Sequence, residues 1–243
     1  VAHSPLDQFK IKTLAEMPTV AGYNVDFTNS AFAMVLAVVL AYGFLMVGMR
    51  RRELVPTRFQ ALVEMTYEAI SSTLRDNVGE AGRPYFPYVF SLFMFVLMCN
   101  LVGMVPYQFT ATSHIAVTFT LALMVFVGVT LIALFKHGLH FFGYFLPKGT
   151  PLWLAPVIYC IEVISYLARP ISLSVRLMAN MFAGHLVMKI IAGFILMLGI
   201  VGGIVPLFFV VFLTGFEIVI AILQAYVFTV LTCVYLHDAV HLH

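Results

Sequence analysis

The sequence predicts an all-α, polytopic membrane protein, and three observations carry that reading. Of 243 residues, 62% are hydrophobic and only 10% are charged, with a mean hydropathy of +1.02. A water-soluble domain needs far more polar surface to stay dispersed. Uncharged apolar stretches of about 20 residues recur along the chain, and that length crosses a bilayer core. Basic clusters follow the first and third of these stretches and spare the turn between the second and third, as alternation between two sides of a membrane requires. The formal charge of +2 is too small to imply nucleic acid as a partner. Without an internal repeat, linker or low-complexity segment, residues 1–243 read as one domain.

The first span is expected over residues 27–49. No charge interrupts Phe27 to Met49, and Arg50, Arg51, Arg52 and Arg58 then mark the cytoplasmic or matrix side, which leaves the N-terminus outside. The stretch before it, VAHSPLDQFKIKTLAEM, is polar and of mixed sign, unlike a signal or transit peptide, so insertion is expected to rest on the spans themselves. Residues 57–74 have a different pattern. Phe59, Leu62, Val63, Ile70 and Leu74 share one helical face, Arg58, Glu64, Glu68 and Arg75 lie elsewhere, and Pro56 with Thr57 and Gln60 gives a start signal. Such a helix suits the inner membrane surface, with an amphipathic helix packed on protein as the equal alternative.

Residues 85–105 span back outward, with Asn100 as their one strongly polar interior residue. The turn MVPYQFTATSH bears no Lys or Arg, as an outer loop should. Residues 115–135 return inward to Lys136, His137, His140 and Lys148. A long charged helix is expected over 152–198, a break at Gly199, Gly202, Gly203 and Pro206, and a second long helix over 206–236. Both exceed what a perpendicular span needs, so they are expected either to tilt steeply or to lie partly flat. Cys99, Cys160 and Cys233 are isolated in apolar runs and read as buried small hydrophobes.

The long charged helix carries Glu162, Arg169, Arg176, His185 and Lys189. A charge at the bilayer centre costs at least roughly 2.5–3.5 kcal/mol, so a chain keeps one there where a partner or water meets it. Arg169 and Arg176 fall on nearly one face, Asn180 stacks one turn beyond Arg176, and His185 points to the opposite side. At roughly 1.5 Å per residue, Glu162 lies about 21 Å from Arg176 and His185 about 13 Å the other way. On the last helix, Glu217 and Gln224 are seven apart and share a face. Arg169 reads equally as an ion-pair partner or a channel lining, Lys189 as a snorkelling end residue, and Asn100 as a helix-to-helix hydrogen bond.

The runs SLSVRLMANMFAGHLVMKIIAGF and FEIVIAILQAYVFTVLTCVYLHD, with NLVGMVPYQFTATSH and the opening AHSPLDQFKI, resemble subunit a of the F-type ATP synthase membrane sector, closest to its mitochondrial and related proteobacterial branch. The similarity covers nearly the whole chain. It implies that Arg176 is the stator arginine facing carboxylates on a ring of c subunits, with Asn180 one turn on and Gln224 facing it from the last helix. It implies His185 and Glu217 as the family's histidine–acid pair and Glu162 as the inner half-channel acid. Together with Asn100 these are the expected proton-translocation residues. Peripheral-stalk b-type subunits and the lipid bilayer are the further partners, and no cofactor, metal or nucleic acid is expected. The expected location is a bacterial inner membrane, or alternatively the mitochondrial one. The pairing of His185 with Glu217 favours protons over Na⁺.

Three rival functions compete. A stand-alone channel or secondary transporter would need an acid for Arg176 at i±3 or i±4, and the sequence has none there. An intramembrane diiron hydroxylase is suggested by His137, His140, His237, His241 and His243, but needs a larger converging set, with His3 and His114 expected on the other side. A membrane anchor has no use for Arg176 and Glu217 at membrane depth.

Overall fold

The charge-free run after Phe27 folds as helix α1, Asn29–Met49, begun by Thr28, whose Oγ1 accepts from the Ala31 amide at 3.3 Å. The computed structural model describes residue 11 and residues 13–15, 26–50, 55–105, 108–138 and 154–241. Arg51, Arg52, His3, His140, Lys148, His243 and the first two residues of the expected 152–198 helix lie outside that set. Two short strands, β1 (Thr13–Ala15) and β2 (Phe27–Thr28), pair antiparallel ahead of α1. The remaining long helices are α2 (Arg58–Val78), α3 (Phe86–Gly103), α4 (Ile115–His137), α5 (Ala155–Gly202) and α6 (Ile204–Val240). Five helical stretches, all but α2, are long and apolar enough to cross a membrane. The chain is an all-α multi-pass membrane protein.

Helix α1 turns small residues inward. Ala37 is buried with Cys99 and Val102 of α3, and Gly48 lies against Val63 of α2 so closely that no side chain fits. Its large residues, among them Val39, Tyr42 and Val47, are exposed, as suits lipid. Helix α2 starts as its sequence signal indicates, with Thr57 Oγ1 accepting from the Gln60 amide at 3.4 Å, and stops at Gly79, where φ is +77°. Its apolar face is covered by protein over only part of its length. Val63, Ile70, Leu74 and also Val78 are buried against protein, whereas Phe59 and Leu62 are exposed. Thr73 of this helix also meets the Tyr226 hydroxyl of α6 at 3.5 Å.

Helix α3 is the most enclosed span, with Val89, Val96 and Asn100 fully buried. Helix α4 runs beside α5, where Thr130 Oγ1 and the Tyr166 hydroxyl lie 2.7 Å apart. The apolar core joins α2, α3, α4, α5 and α6 through Leu74, Val89, Val125, Leu177 and Phe228.

Helices α5 and α6 form an antiparallel hairpin. Gly199 is the one position within α5 with non-helical torsions, at φ +70° and ψ −170°, and the chain reverses over Gly202 and Gly203. Pro170 is buried and the backbone stays helical through it. At 48 residues α5 is about 72 Å long, and at 37 residues α6 is about 55 Å. Both are longer than a perpendicular crossing of a hydrocarbon core of about 30 Å requires. The hairpin returns Asp238, near the end of α6, to Arg169 in the first half of α5. The end of α6 therefore shares a side with the basic end of α4.

Candidate functional site

Burial along α5 follows a helical stripe. Pro170, Leu173, Ser174, Leu177, Met181 and His185 face protein. The opposite side is exposed and smooth: Ser165, Ala168, Ser172, Ala179 and Ala183 flank one long side chain, Arg176. The structure thus separates Arg176 from His185 by half a turn of azimuth, as the nine-residue spacing demands. Arg176 makes no ion pair with an acid among the described residues.

His185 meets Glu217 across the hairpin, with Nδ1 and Oε1 2.9 Å apart and each residue only 4% exposed. Gly184 makes room for the carboxylate. A Cβ there would lie 2.6 Å from Glu217 Oε1 and 2.9 Å from its Cδ. Replacing Gly184 by alanine should push the carboxylate off His185, at an overpacking cost of about 1–3 kcal/mol. The expected result is proton flux through the assembled complex down roughly three- to tenfold, with Ser close to Ala in effect. Unchanged flux in Gly184→Ala would show that the contact geometry is irrelevant to transport.

The pair is not saturated by protein. His185 Nε2 and both Glu217 carboxylate oxygens are buried with no hydrogen-bond partner among the described residues, so the 2.9 Å approach is a charge contact without hydrogen-bond alignment. Buried polar atoms normally have one, and groups that hand protons on keep lone pairs free of structural duty. One turn along α6, the Ala221 carbonyl accepts from Asn100 Nδ2 of α3 at 3.1 Å, while Asn100 Oδ1 is likewise unpartnered. The helix-to-helix bond expected of Asn100 is therefore present, beside the acid. Gln224 is 8% exposed on the same α6 face as Glu217. The antiparallel register puts it at the height of Asn180, which is half-buried.

Arg169 has a different fate. Its Nη1 donates to Asp238 Oδ2 at 2.9 Å, and its guanidinium sits 5.2 Å from the Tyr166 ring centre and 5.1 Å from that of Tyr235. Of its two readings, the ion pair is observed. With Tyr166 bonded to Thr130, this cluster ties α4, α5 and α6 at one end of the hairpin. Both charges are about a quarter exposed, which limits the pair to about 1 kcal/mol. A double-mutant cycle of Arg169→Gln and Asp238→Asn should return a coupling of about that size in thermal unfolding, and zero coupling would make the contact incidental.

Glu162 stays apart from the other candidates. It is half-buried near the start of α5 and makes no ion pair among the described residues. Of the histidines suggested for a diiron site, His140 and His243 lie outside the described residues. His237 and His241 lie 4.7 Å apart by ring centres at the end of α6, and His114 stacks on Phe109 at the start of α4. Among the described residues no group of three potential ligands forms. Asp238 and Gly184 were not singled out from sequence. Asp238 sits in a polar tail whose partner is visible only once the hairpin register is known, and Gly184 looks like one more helix glycine until Glu217 is placed over it.

An acid and an imidazole enclosed together between membrane helices serve ion movement better than they serve stability, and the class of protein defined here is an ion-translocating membrane subunit. Comparison with known proteins supplies the particular family. Residues 31–237 match the family described as ATP synthase A chain. The chain is 54% identical over 241 residues to ATP synthase subunit a of Ehrlichia canis, covering 99% of both chains. It is 53% identical over 241 residues to ATP synthase subunit a of Rhodospirillum rubrum, covering 99% of this chain and all of that one. The chain belongs to the ATP synthase A chain family, and its function is that of the membrane stator in an F-type ATP synthase. That membership disfavours a stand-alone channel or secondary transporter.

Proposed function

We propose that the chain couples proton flow to rotation by presenting Arg176 to the carboxylates of a turning ring of c subunits. The observation that carries this reading is a guanidinium on an exposed, small-residue face of a membrane helix, with no acid among the described residues to neutralise it. Small residues on either side of Arg176 let a second helix approach closely. A ring carboxylate crossing lipid must be protonated, because an isolated anion in hydrocarbon is too costly. Beside a permanent positive charge the ionised form is favoured, so the proton leaves there.

Two offset half-channels complete the mechanism. His185 and Glu217, with Asn100 beside them, form the outer relay. Asn180 and Gln224 lie between that pair and Arg176 and orient the arginine's surroundings. Glu162 serves the inner path, some 21 Å along α5 from Arg176. Because Arg176 lies between the two, a proton passes from one channel to the other only by riding the ring. Each unit charge moved through 100 mV yields about 2.3 kcal/mol, so several protons per turn suffice to drive synthesis. Peripheral-stalk b-type subunits hold the chain still while the ring turns. The setting is a bacterial inner membrane, with the N-terminus outside and the basic ends of α1 and α4 inside.

Cysteines placed at Ser172 or Ala179, in a background with exposed Cys160 replaced, should crosslink to a small acid-bearing membrane subunit. Cysteine at Leu167, exposed but half a turn of azimuth away from Arg176, should not. Crosslinking to no such subunit from either Arg176-flanking position would remove the ring from this face.

A further inference from the structure

Away from the hairpin, the junction between α2 and α3 forms an open surface pocket of about 450 Å³, lined by Tyr67, Ser71, Leu74, Arg75, Glu80, Arg83, Phe86 and Pro87 with the turn at Gly79. That volume lies within the range of small-ligand sites, about 300–1,000 Å³. The lining has two distinct parts. Arg75 and Arg83 are exposed and neither makes an ion pair with a described acid, and Ser71 adds a hydroxyl to the lining. Glu80 is the one acid on the pocket, so the lining keeps a net positive charge. The other part is apolar. Tyr67 meets Phe86 edge-on at 4.7 Å between ring centres, Phe86 stacks on Phe90 at 5.5 Å, and Pro87 continues that wall onto α3.

We propose that this pocket binds the phosphate headgroup of an anionic phospholipid, with Arg75 and Arg83 on the phosphate and Tyr67, Phe86 and Pro87 against the glycerol and first acyl carbons. Guanidinium forks match phosphate oxygens in pairs. The placement fits the same ligand, because the arginines stand where the polar α2 ends and the apolar α3 begins. Such a basic pocket with an aromatic rim at a membrane surface is built for a lipid headgroup. A free phosphate ion would use the arginines but would leave the aromatic wall without a partner.

The test uses the purified, assembled complex in vesicles containing a photoactivatable phosphatidylglycerol, with labelled peptides mapped. Label is expected on the Tyr67–Phe90 region. It should fall at least about fivefold in Arg75→Gln/Arg83→Gln and keep more than half in Arg75→Lys/Arg83→Lys, with millimolar inorganic phosphate leaving it unchanged. An equal loss in the lysine pair would trace the effect to folding and overturn the site. So would equal labelling by a phosphatidylcholine probe, which lacks net charge. Competition by inorganic phosphate would reassign the pocket to a soluble anion, and absence of label in the assembled complex would mean that another subunit covers it.

Discussion

Arg176→Ala is expected to bring ATP synthesis and coupled proton pumping to background, a loss of at least about 100-fold, in a complex that still assembles. The size follows from what the substitution leaves behind. A carboxylate brought to this face without its counter-charge is an uncompensated ion in a low-dielectric setting, which costs about 3–5 kcal/mol, or about two to three and a half powers of ten in the population of the ionised state. The fold should not suffer in proportion, since Arg176 is exposed and bonds to no described acid. Arg176→Lys should fail as well. A lysine ammonium can shed its proton when desolvated, and it lacks the planar fork that holds a passing carboxylate at fixed geometry. Synthesis by either variant at more than a tenth of the wild-type rate, measured in inverted vesicles, would remove Arg176 from the mechanism.

The second large effect is expected at Glu217. Glu217→Gln keeps the shape that fits over Gly184 and beside His185, but the amide cannot take up and release a proton. Proton-transfer groups contribute roughly 100-fold or more to the steps they serve, so passive flux through the membrane sector should fall by about that factor. Glu217→Asp retains a titratable group and should restore part of the flux, although its shorter reach loosens the contact with His185. A structural role would show the reverse order, with Gln tolerated and Asp damaging. Normal flux in the Gln variant would reduce the buried pair to packing.

Much of this site was legible in the sequence, because helical periodicity fixes azimuth. Nine residues turn His185 away from Arg176, and seven bring Glu217 and Gln224 to one face; the structure exposes Arg176 and buries His185, Glu217 and Gln224. Composition and the position of basic residues gave the membrane class and the run of helices. Periodicity does not say what a face meets. Arg169 and Arg176 lie on nearly one side of α5, yet Arg169 is held by Asp238 and two tyrosine rings while Arg176 has no acid beside it. That difference depends on the register of the α5–α6 hairpin, set by where Gly199 to Gly203 turn the chain. What meets the apolar face of α2 was hidden in the sequence for a related reason. Phe59 and Leu62 share the apolar arc of Val63, but Gly48 of α1 and the flank of α6 reach only part of it, so the rest stays exposed.

The decisive measurement is passive proton conductance of the membrane sector in sealed vesicles with the ring locked to the stator by a reversible crosslink. Two half-channels kept apart by Arg176 predict no conductance in the locked wild type, recovery when the crosslink is reduced, and a leak through the locked Arg176→Ala sector. A locked wild-type sector that passes protons as freely as an unlocked one would contradict a path that runs through rotation.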